Sequence, residues 1–353
     1  MYEKGTGRSE GTDLPENEEI FMRKYMSLTM AAVVSASLLA GCSGGTSAAQ
    51  AEETTAVETT AAETSTEEET TAAEEAASAD DAQTEDGTPY TETTVDLGVG
   101  VMQVYDFGDI KIHAYESRDA IDDESYLIES ESGLTALEAP GFKDNNSELA
   151  DYIESLGKPV TSVLLAYHPA GAEVYGADAE YIATANAQAA QQEGGSVKGL
   201  IDGFVQSFGE GYDGTIPEVT KLIEPGTIEL NGVEYVVTDD ADGFDLVIPE
   251  INAVFTHMVG SDVHNIMPSI GAIDALIAQM QSYVDADYTL ILSSHYVPET
   301  IEAAKTKLAY AEKMKELAET ETTADDFIAA AKEAFPNYSG ENYLQMTAAG
   351  LYQ

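Results

Sequence analysis

Residues 163–184 read VLLAYHPAGAEVYGADAEYIAT. The stretch begins as a continuously apolar strand, of the kind that is buried on both faces of a sheet, and it passes into a polar turn that carries one histidine, His168. The segment before it, SELADYIESLG, has the spacing of an amphipathic helix that ends at Gly157. A polar turn at the edge of an α/β sheet is a frequent position for a functional loop, so His168 is a candidate site residue.

The segments on either side predict a mixed α/β fold. Before the stretch, VMQVYDFGDIKIHAYES, SYLIES and GLTALEA indicate strands joined by hairpins. After it, Asn231-Gly232 predicts another hairpin turn, and FDLVIPE, NAVFTH and YTLILSSH predict further strands. The C-terminal part, from Pro298 onward, has helical patterns. Hairpins followed by alternating strands and helices predict an α/β sandwich with mixed sheets over residues 97–353.

The chain is strongly acidic, with a formal net charge of -50 over 353 residues. We therefore expect no nucleic-acid partner, because phosphate binding needs a cationic surface. Residues 43–96 are almost entirely Ala, Thr, Glu, Ser and Asp. Such a segment lacks the apolar side chains that offset the entropy cost of ordering, so it predicts a disordered, self-repelling tether.

The only cysteine, Cys42, closes a secretory signal. Residues 22–42 combine a short cationic start, an apolar run and the sequence LAGC, in the order of a signal peptide that is too short for an ordinary membrane span. LAGC resembles the bacterial lipobox, which implies cleavage before Cys42 and acylation of that residue. We expect a lipid-anchored protein on the extracytoplasmic face of the cell membrane, with the bilayer as a partner. Residues 1–21 lie upstream of this signal, which predicts that Met22 is the true start.

The order of elements from residue 99 to residue 353 resembles the metallo-β-lactamase superfamily of hydrolases. The segments SYLIES, GLTALEAPGF, KPVTSVLLAYHPAGAEVY, LVIPEINAVFTH and LILSSH carry the resemblance, together with VFTHMVGSDVHNIMP and AFPNYSGENYLQMTAAGLY. The resemblance implies an αββα sandwich with a helical C-terminal part and a dinuclear metal site at one edge. The family's His-x-His-x-Asp-His motif would fall at residues 166–172, where only His168 is present.

The other ligand positions that the resemblance implies are also altered. A histidine expected near residues 239–243 is replaced by carboxylates, and the bridging aspartate is replaced by His257. His295 matches the last ligand in kind. The resemblance thus implies a degenerate site, with no cofactor or with zinc. The candidate metal ligands are His168, His257 and His295, and the candidates for the same pocket are His264, Asp240, Asp242 and Asp262.

The sequence leaves three functions open, and it does not decide whether the protein is an enzyme. We favour an extracytoplasmic domain that has lost the usual dinuclear site and binds a small molecule or a protein. The first alternative is a metal-dependent hydrolase of esters, lactones or amides with a remodelled histidine site. The second is a solute-binding lipoprotein of an uptake system, which would have two lobes. His113 lies within a strand pattern and is expected to be structural.

Overall fold

Two stacked β-sheets form the centre of the computed structural model, which describes residues 88–353. The strands of the first sheet are β1 (Thr91–Asp96), β2 (Val101–Asp106), β3 (Lys111–Glu116), β4 (Glu124–Ser130), β5 (Gly133–Leu137), β6 (Val160–Leu164), β7 (Glu180–Thr184) and β8 (Lys221–Ile223). Those of the second are β9 (Gly226–Leu230), β10 (Val233–Asp239), β11 (Phe244–Ile248), β12 (Ala253–Met258) and β13 (Leu290–His295).

The first sheet keeps its strands in chain order. The strands β1 to β5 are antiparallel neighbours, and β5 to β8 are parallel. The second sheet has the order β13-β12-β11-β10-β9, and only β12 and β13 run parallel. Its predicted hairpin turn at Asn231-Gly232 is present, with positive φ at both residues as the tight turn requires.

Helices cover the outer face of each sheet. They are α1 (Lys143–Leu156), α2 (Ala185–Gln191), α3 (Ser196–Phe208), α4 (Ile270–Ala286), α5 (Ile301–Thr320), α6 (Ala324–Ala334) and α7 (Glu341–Leu351). The alternation of side chains along β12 separates two cores. Phe255 belongs to the core between the sheets, whereas Val254 packs with α4 and α5. The α/β class, the αββα sandwich and the helical C-terminal part are therefore confirmed.

The first strand corrects one predicted boundary. The tether was expected to extend to Asp96, but Thr91–Asp96 form β1, which pairs with β2 along its full length. Most side chains of β1 are exposed, so the strand is held by main-chain hydrogen bonds at the sheet edge and not by burial. A prediction from apolar content misses such a strand. Residues 43–87 of the tether, the signal with Cys42, and residues 1–21 with the start expected at Met22 lie outside the described residues.

Residues 180–223 contain elements that no clear sequence pattern predicted, namely β7, α2, α3 and β8. The sandwich also differs from the two-lobed architecture expected of a solute-binding lipoprotein. Within residues 88–353, no helix is both long enough and apolar enough to cross a membrane.

Candidate functional site

Three histidines meet where the carboxyl ends of strands from both sheets come together. His168 follows β6, and His257 and His295 lie near the ends of the parallel pair β12 and β13. Each offers a ring nitrogen, and these nitrogens lie within 4.8 Å of one another. The ring centroids are 4.5 Å apart for His168 and His295, and 5.4 Å apart for His168 and His257. The three candidate metal ligands therefore form one cluster.

A buried carboxylate joins this cluster. Asp123 precedes β4 and pairs through its backbone with His295, which links the two sheets at the site. Its Oδ1 atom lies 3.1 Å from Nδ1 of His168 and 3.7 Å from Nδ1 of His295. The contact with His168 has the distance of an ion pair without the direction of a hydrogen bond. Asp123 was not among the predicted residues, and its only sequence signal is an acidic run, Asp122-Asp123-Glu124, just before a buried strand.

His295, the last residue of β13, is oriented by a main-chain carbonyl group. Its Nδ1 lies 3.0 Å from the carbonyl oxygen of Ile121. Because a carbonyl only accepts, Nδ1 carries the proton and Nε2 keeps its lone pair. Burial and the two adjacent imidazoles lower the pKa of His295 well below its usual range, so its ring is neutral. A neutral imidazole with one nitrogen hydrogen-bonded to a carbonyl is the usual state of a metal-binding histidine.

The loop that carries His168 is fixed by Glu138, at the end of β5. Its carboxylate accepts hydrogen bonds from the backbone N–H groups of Ala166, Tyr167 and His168, at 3.1, 2.8 and 2.7 Å. Burial opposes the protonated form of His168, but the carboxylates of Asp123 and Glu138 outweigh it and raise its pKa to about 9. His168 is therefore protonated when only protein groups surround it.

The third histidine, His257, is held by an aromatic ring. It stacks on Tyr167, with centroids 4.7 Å apart and the planes 14° from parallel. The hydroxyl of Tyr167 donates to Oδ1 of Asp245 at 2.8 Å, which anchors the ring in the second sheet. Burial raises the pKa of Asp245 to about 6.

An apolar pocket of about 140 Å³ opens above the cluster. One wall comes from α3, through Val197, Leu200, Ile201 and Phe204, and another comes from Tyr343 and Met346 of α7. The three histidines and Asp123 are among its polar lining groups. An apolar pocket with a few convergent polar groups is the usual form of a small-molecule site. Neither wall was predicted, because no sequence pattern indicated α3 and the helical pattern of α7 does not reveal what that helix faces.

Comparison with known proteins identifies the architecture. No family model matches the sequence, and no curated protein matches it. The fold is similar to a metallo-β-lactamase family protein from Thermus thermophilus, with a TM-score of 0.50 and 13% identity over 69% of this chain and 91% of that one. The chain has the metallo-β-lactamase fold. Such a likeness at low identity establishes the fold and leaves the activity open.

Two other solved structures with the metallo-β-lactamase fold are similar. One is a stereoselective inverting sec-alkylsulfatase from Pseudomonas sp., with a TM-score of 0.48 and 16% identity over 68% of this chain. The chain spans about half of the alkylsulfatase, 48% of its length. The other is a metallo-β-lactamase from Erythrobacter litoralis, with a TM-score of 0.41 and 14% identity over 62% of this chain and 99% of that one.

Within this metallo-β-lactamase fold, the remaining candidates lie elsewhere. His264 is buried against the rings of Tyr310 and Tyr338 and does not line the pocket. Asp242 accepts a hydrogen bond from Ser196 at 2.6 Å, and Asp240 accepts one from the backbone of Ala241.

Neither of these loop aspartates lines the pocket, and Asp262 lines a neighbouring cavity instead. The loop after β10 is closed by a backbone hydrogen bond from Asp240 to Gly243, which packs against Tyr167. The carboxylate that contacts the histidine cluster is thus Asp123 and not one from this loop. His113 is structural as expected, since its ring contacts Glu129 and the Tyr152 hydroxyl, both at 2.8 Å.

Proposed function

We propose that the domain is a metal-dependent hydrolase that holds a single transition metal ion, such as zinc, through His168, His257 and His295. The observation that carries the proposal is the convergence of three imidazole nitrogens within 4.8 Å beside an apolar pocket. Three histidines are a ligand set of catalytic zinc sites, in which the fourth position stays open. The proposal departs from the two-metal arrangement, because the cluster supplies ligands for one ion.

The buried polar atoms fit a bound cation. Oδ1 of Asp123 and Nδ1 of His168 are buried and face each other without forming a hydrogen bond. In His295 the hydrogen bond to Ile121 directs Nε2 away from the backbone as a free lone pair. A bound zinc ion would act as a Lewis acid and would lower the pKa of a coordinated water.

The chain's own residues would orient the substrate and handle protons. The walls from α3 and α7 would bind the apolar part of an ester, lactone or amide and exclude bulk water, which strengthens the electrostatic interactions in the pocket. Asp123, beside two imidazoles, is placed to hold a proton during the reaction. Tyr167 and Glu138 are positioning residues, because they hold His257 and His168.

The experiment measures zinc and hydrolysis in the same samples. Purified protein is equilibrated with zinc, dialysed, and assayed for metal content and for hydrolysis of p-nitrophenyl esters, a lactone and an amide. We expect about one zinc per chain, and we expect His168→Ala, His257→Ala and His295→Ala each to lose both zinc and activity. The matched control is His113→Gln, which removes a histidine outside the cluster and should keep both. Zinc content that is unchanged in the three cluster variants would exclude the proposal.

A second candidate function is binding without catalysis. The ion pair between His168 and Asp123 satisfies both charges without a metal, and the pocket above it is apolar. A domain with these properties would bind an apolar ligand in metal-free form. Tight binding of such a ligand by protein that takes up no zinc would favour this function over hydrolysis.

We also propose that the protein is anchored to the outer face of the cell membrane through acylated Cys42. The LAGC sequence after an apolar signal supports this anchoring. Mass spectrometry of the membrane-extracted protein should find an acylated N-terminal Cys42, and Cys42→Ser should release the protein from the membrane fraction. An unmodified chain that begins at Met1 would contradict the proposal.

A further inference from the structure

A second cavity lies beside the pocket, and Asp123 belongs to the lining of both. Its volume is about 250 Å³. It is lined by six carboxylate side chains, which are Glu116, Asp122, Asp123, Glu124, Asp262 and Glu299. The one basic residue in its lining is Arg118, whose Nε lies 3.5 Å from Glu116. The lining of this acidic cavity differs in character from that of the histidine pocket, which is mostly apolar.

Glu124 distinguishes this cavity from an ordinary acidic surface. Its side chain is 1% exposed, and neither carboxyl oxygen has a hydrogen-bond partner among residues 88–353. Burial, with Glu116 and Asp123 nearby, raises the pKa of Glu124 well above its usual range. A buried carboxyl group without partners is costly, and native structures keep few such groups. A ligand that donates hydrogen bonds to Glu124 would remove this cost.

Tyr296, whose backbone has an unusual conformation, forms another wall of the acidic cavity. Tyr296 has a φ of +70°, a conformation that a bulky residue rarely adopts. Its ring packs so closely on Gly260 that an added Cβ there would lie 2.8 Å from the ring. Strained residues of this kind cluster at ligand sites. Carboxylates together with an aromatic face are a common combination for recognising organic cations.

The spacing of the carboxylates argues for a cation larger than a metal ion. Among residues 88–353, only the three pocket histidines form a set whose ligand atoms all lie within 4.8 Å of one another. The six carboxylates are thus spread around the cavity and do not gather about one point. An organic cation with several N–H donors reaches groups that are spread in this way.

We propose that the acidic cavity binds a ligand with an ammonium or guanidinium group, which donates hydrogen bonds to Glu124 and lies against Tyr296. Glu299 would supply a further charged group of the lining, and its carboxylate already accepts a hydrogen bond from the backbone N–H of Ser261 at 2.9 Å. Among the residues that line the acidic cavity, only Asp123 also lines the histidine pocket. Ligand binding in the acidic cavity therefore does not depend on a metal at the histidines.

Calorimetric titration of the purified protein with methylguanidinium and with n-butylammonium tests the proposal. Monovalent probes at about 0.15 M salt limit long-range attraction to the acidic surface, since the Debye length is then about 8 Å. We expect saturable one-to-one binding of at least one probe. Glu124→Gln keeps the shape of the side chain and should weaken binding at least tenfold, and Glu299→Gln should weaken it as well.

The matched control is Glu193→Gln, which removes one charge from an exposed loop and should leave binding unchanged. Circular dichroism establishes that each variant folds, and Glu299→Gln keeps the test decisive if Glu124→Gln does not. Equal binding by the wild type and both cavity variants would overturn the proposal. It would also be overturned if neither probe bound, or if Ca²⁺ bound one-to-one through Glu124 while both probes failed.

Discussion

The pocket histidines and His264 show two ways in which this fold surrounds an imidazole. His168, His257 and His295 lie beside a carboxylate and a cavity, and their ring nitrogens lie within 4.8 Å of one another. His264 instead lies against two tyrosine rings, with Nδ1 3.2 Å from the Tyr310 hydroxyl. The two kinds of histidine differ in the residues that surround them. A histidine surrounded by packed rings stabilises the core, whereas histidines that face one another at a cavity are arranged for a ligand.

The aromatic cluster around His264 also contains a buried lysine. Lys307 is fully buried, and its Nζ lies 4.8 Å from the centroid of the Tyr310 ring. It donates to the carbonyl of Val263 at 2.5 Å and to Oδ1 of Asn265 at 2.8 Å. This packed cluster therefore satisfies its polar groups internally, unlike the pocket, where Nδ1 of His168 and Oδ1 of Asp123 have no hydrogen bond.

The largest expected effect comes from replacing one histidine of each kind by alanine. His264→Ala should lower the free energy of unfolding by about 2–4 kcal/mol, because it leaves a cavity in a packed cluster, and it should leave zinc content unchanged. His295→Ala should abolish zinc binding with a smaller loss of stability. Denaturant unfolding and metal analysis of both variants check this. If the two variants lost stability and zinc to the same extent, the distinction between the pocket and the packed cluster would fail.

A smaller effect is expected from the pH dependence of Lys307. Burial lowers the pKa of Lys307 to about 7, from an ordinary 10.5. Between these values the unfolded chain binds a proton that the folded chain lacks, so the free energy of unfolding rises with pH. The contribution is about 1.4 kcal/mol per pH unit at most. Lys307→Met should therefore reduce the rise in stability between pH 7 and pH 9, as measured by urea unfolding. A variant with the same pH slope as the wild type would show that Lys307 stays charged in the fold.

The smallest expected effect concerns the ring that supports His257. Tyr167→Phe keeps the stacked ring and removes the hydrogen bond to Asp245, which should cost about 1 kcal/mol of stability. Zinc affinity should fall only slightly, because the stacking remains. Tyr167→Ala, which also removes the ring, is the comparison variant and should weaken zinc binding more. Equal zinc affinities in the two variants would show that stacking does not position His257.

Much of the architecture was accessible from the sequence because local patterns follow the elements closely. The apolar run at Val163 and Leu164, the Asn231-Gly232 turn and the helical spacing after Pro298 all correspond to observed elements. One of the missed elements has a clear physical cause. The edge strand β1 is held by backbone pairing, and an apolar pattern does not report such pairing.

The candidate site could be predicted from the sequence only in part. The resemblance to the metallo-β-lactamase fold indicated His168, His257 and His295 by their places after strands, and the structure brings them together. The same reasoning placed His264 beside them, although its ring turns into the aromatic cluster. It missed Asp123, which is one of three successive acids and differs from its neighbours only in what surrounds it.

By itself the sequence determined the α/β class and the acidic character, because strand periodicity and charge are local properties, and its resemblance to the metallo-β-lactamase superfamily indicated the three histidines. Only the tertiary structure decided that Asp123 joins those histidines, that α3 and α7 form the walls of their pocket, and that Glu124 faces a separate acidic cavity without a partner. These relations arise where the two sheets meet, between residues that are far apart in the chain, such as Asp123 and His295. Local sequence patterns do not encode which side chains become neighbours across such a distance.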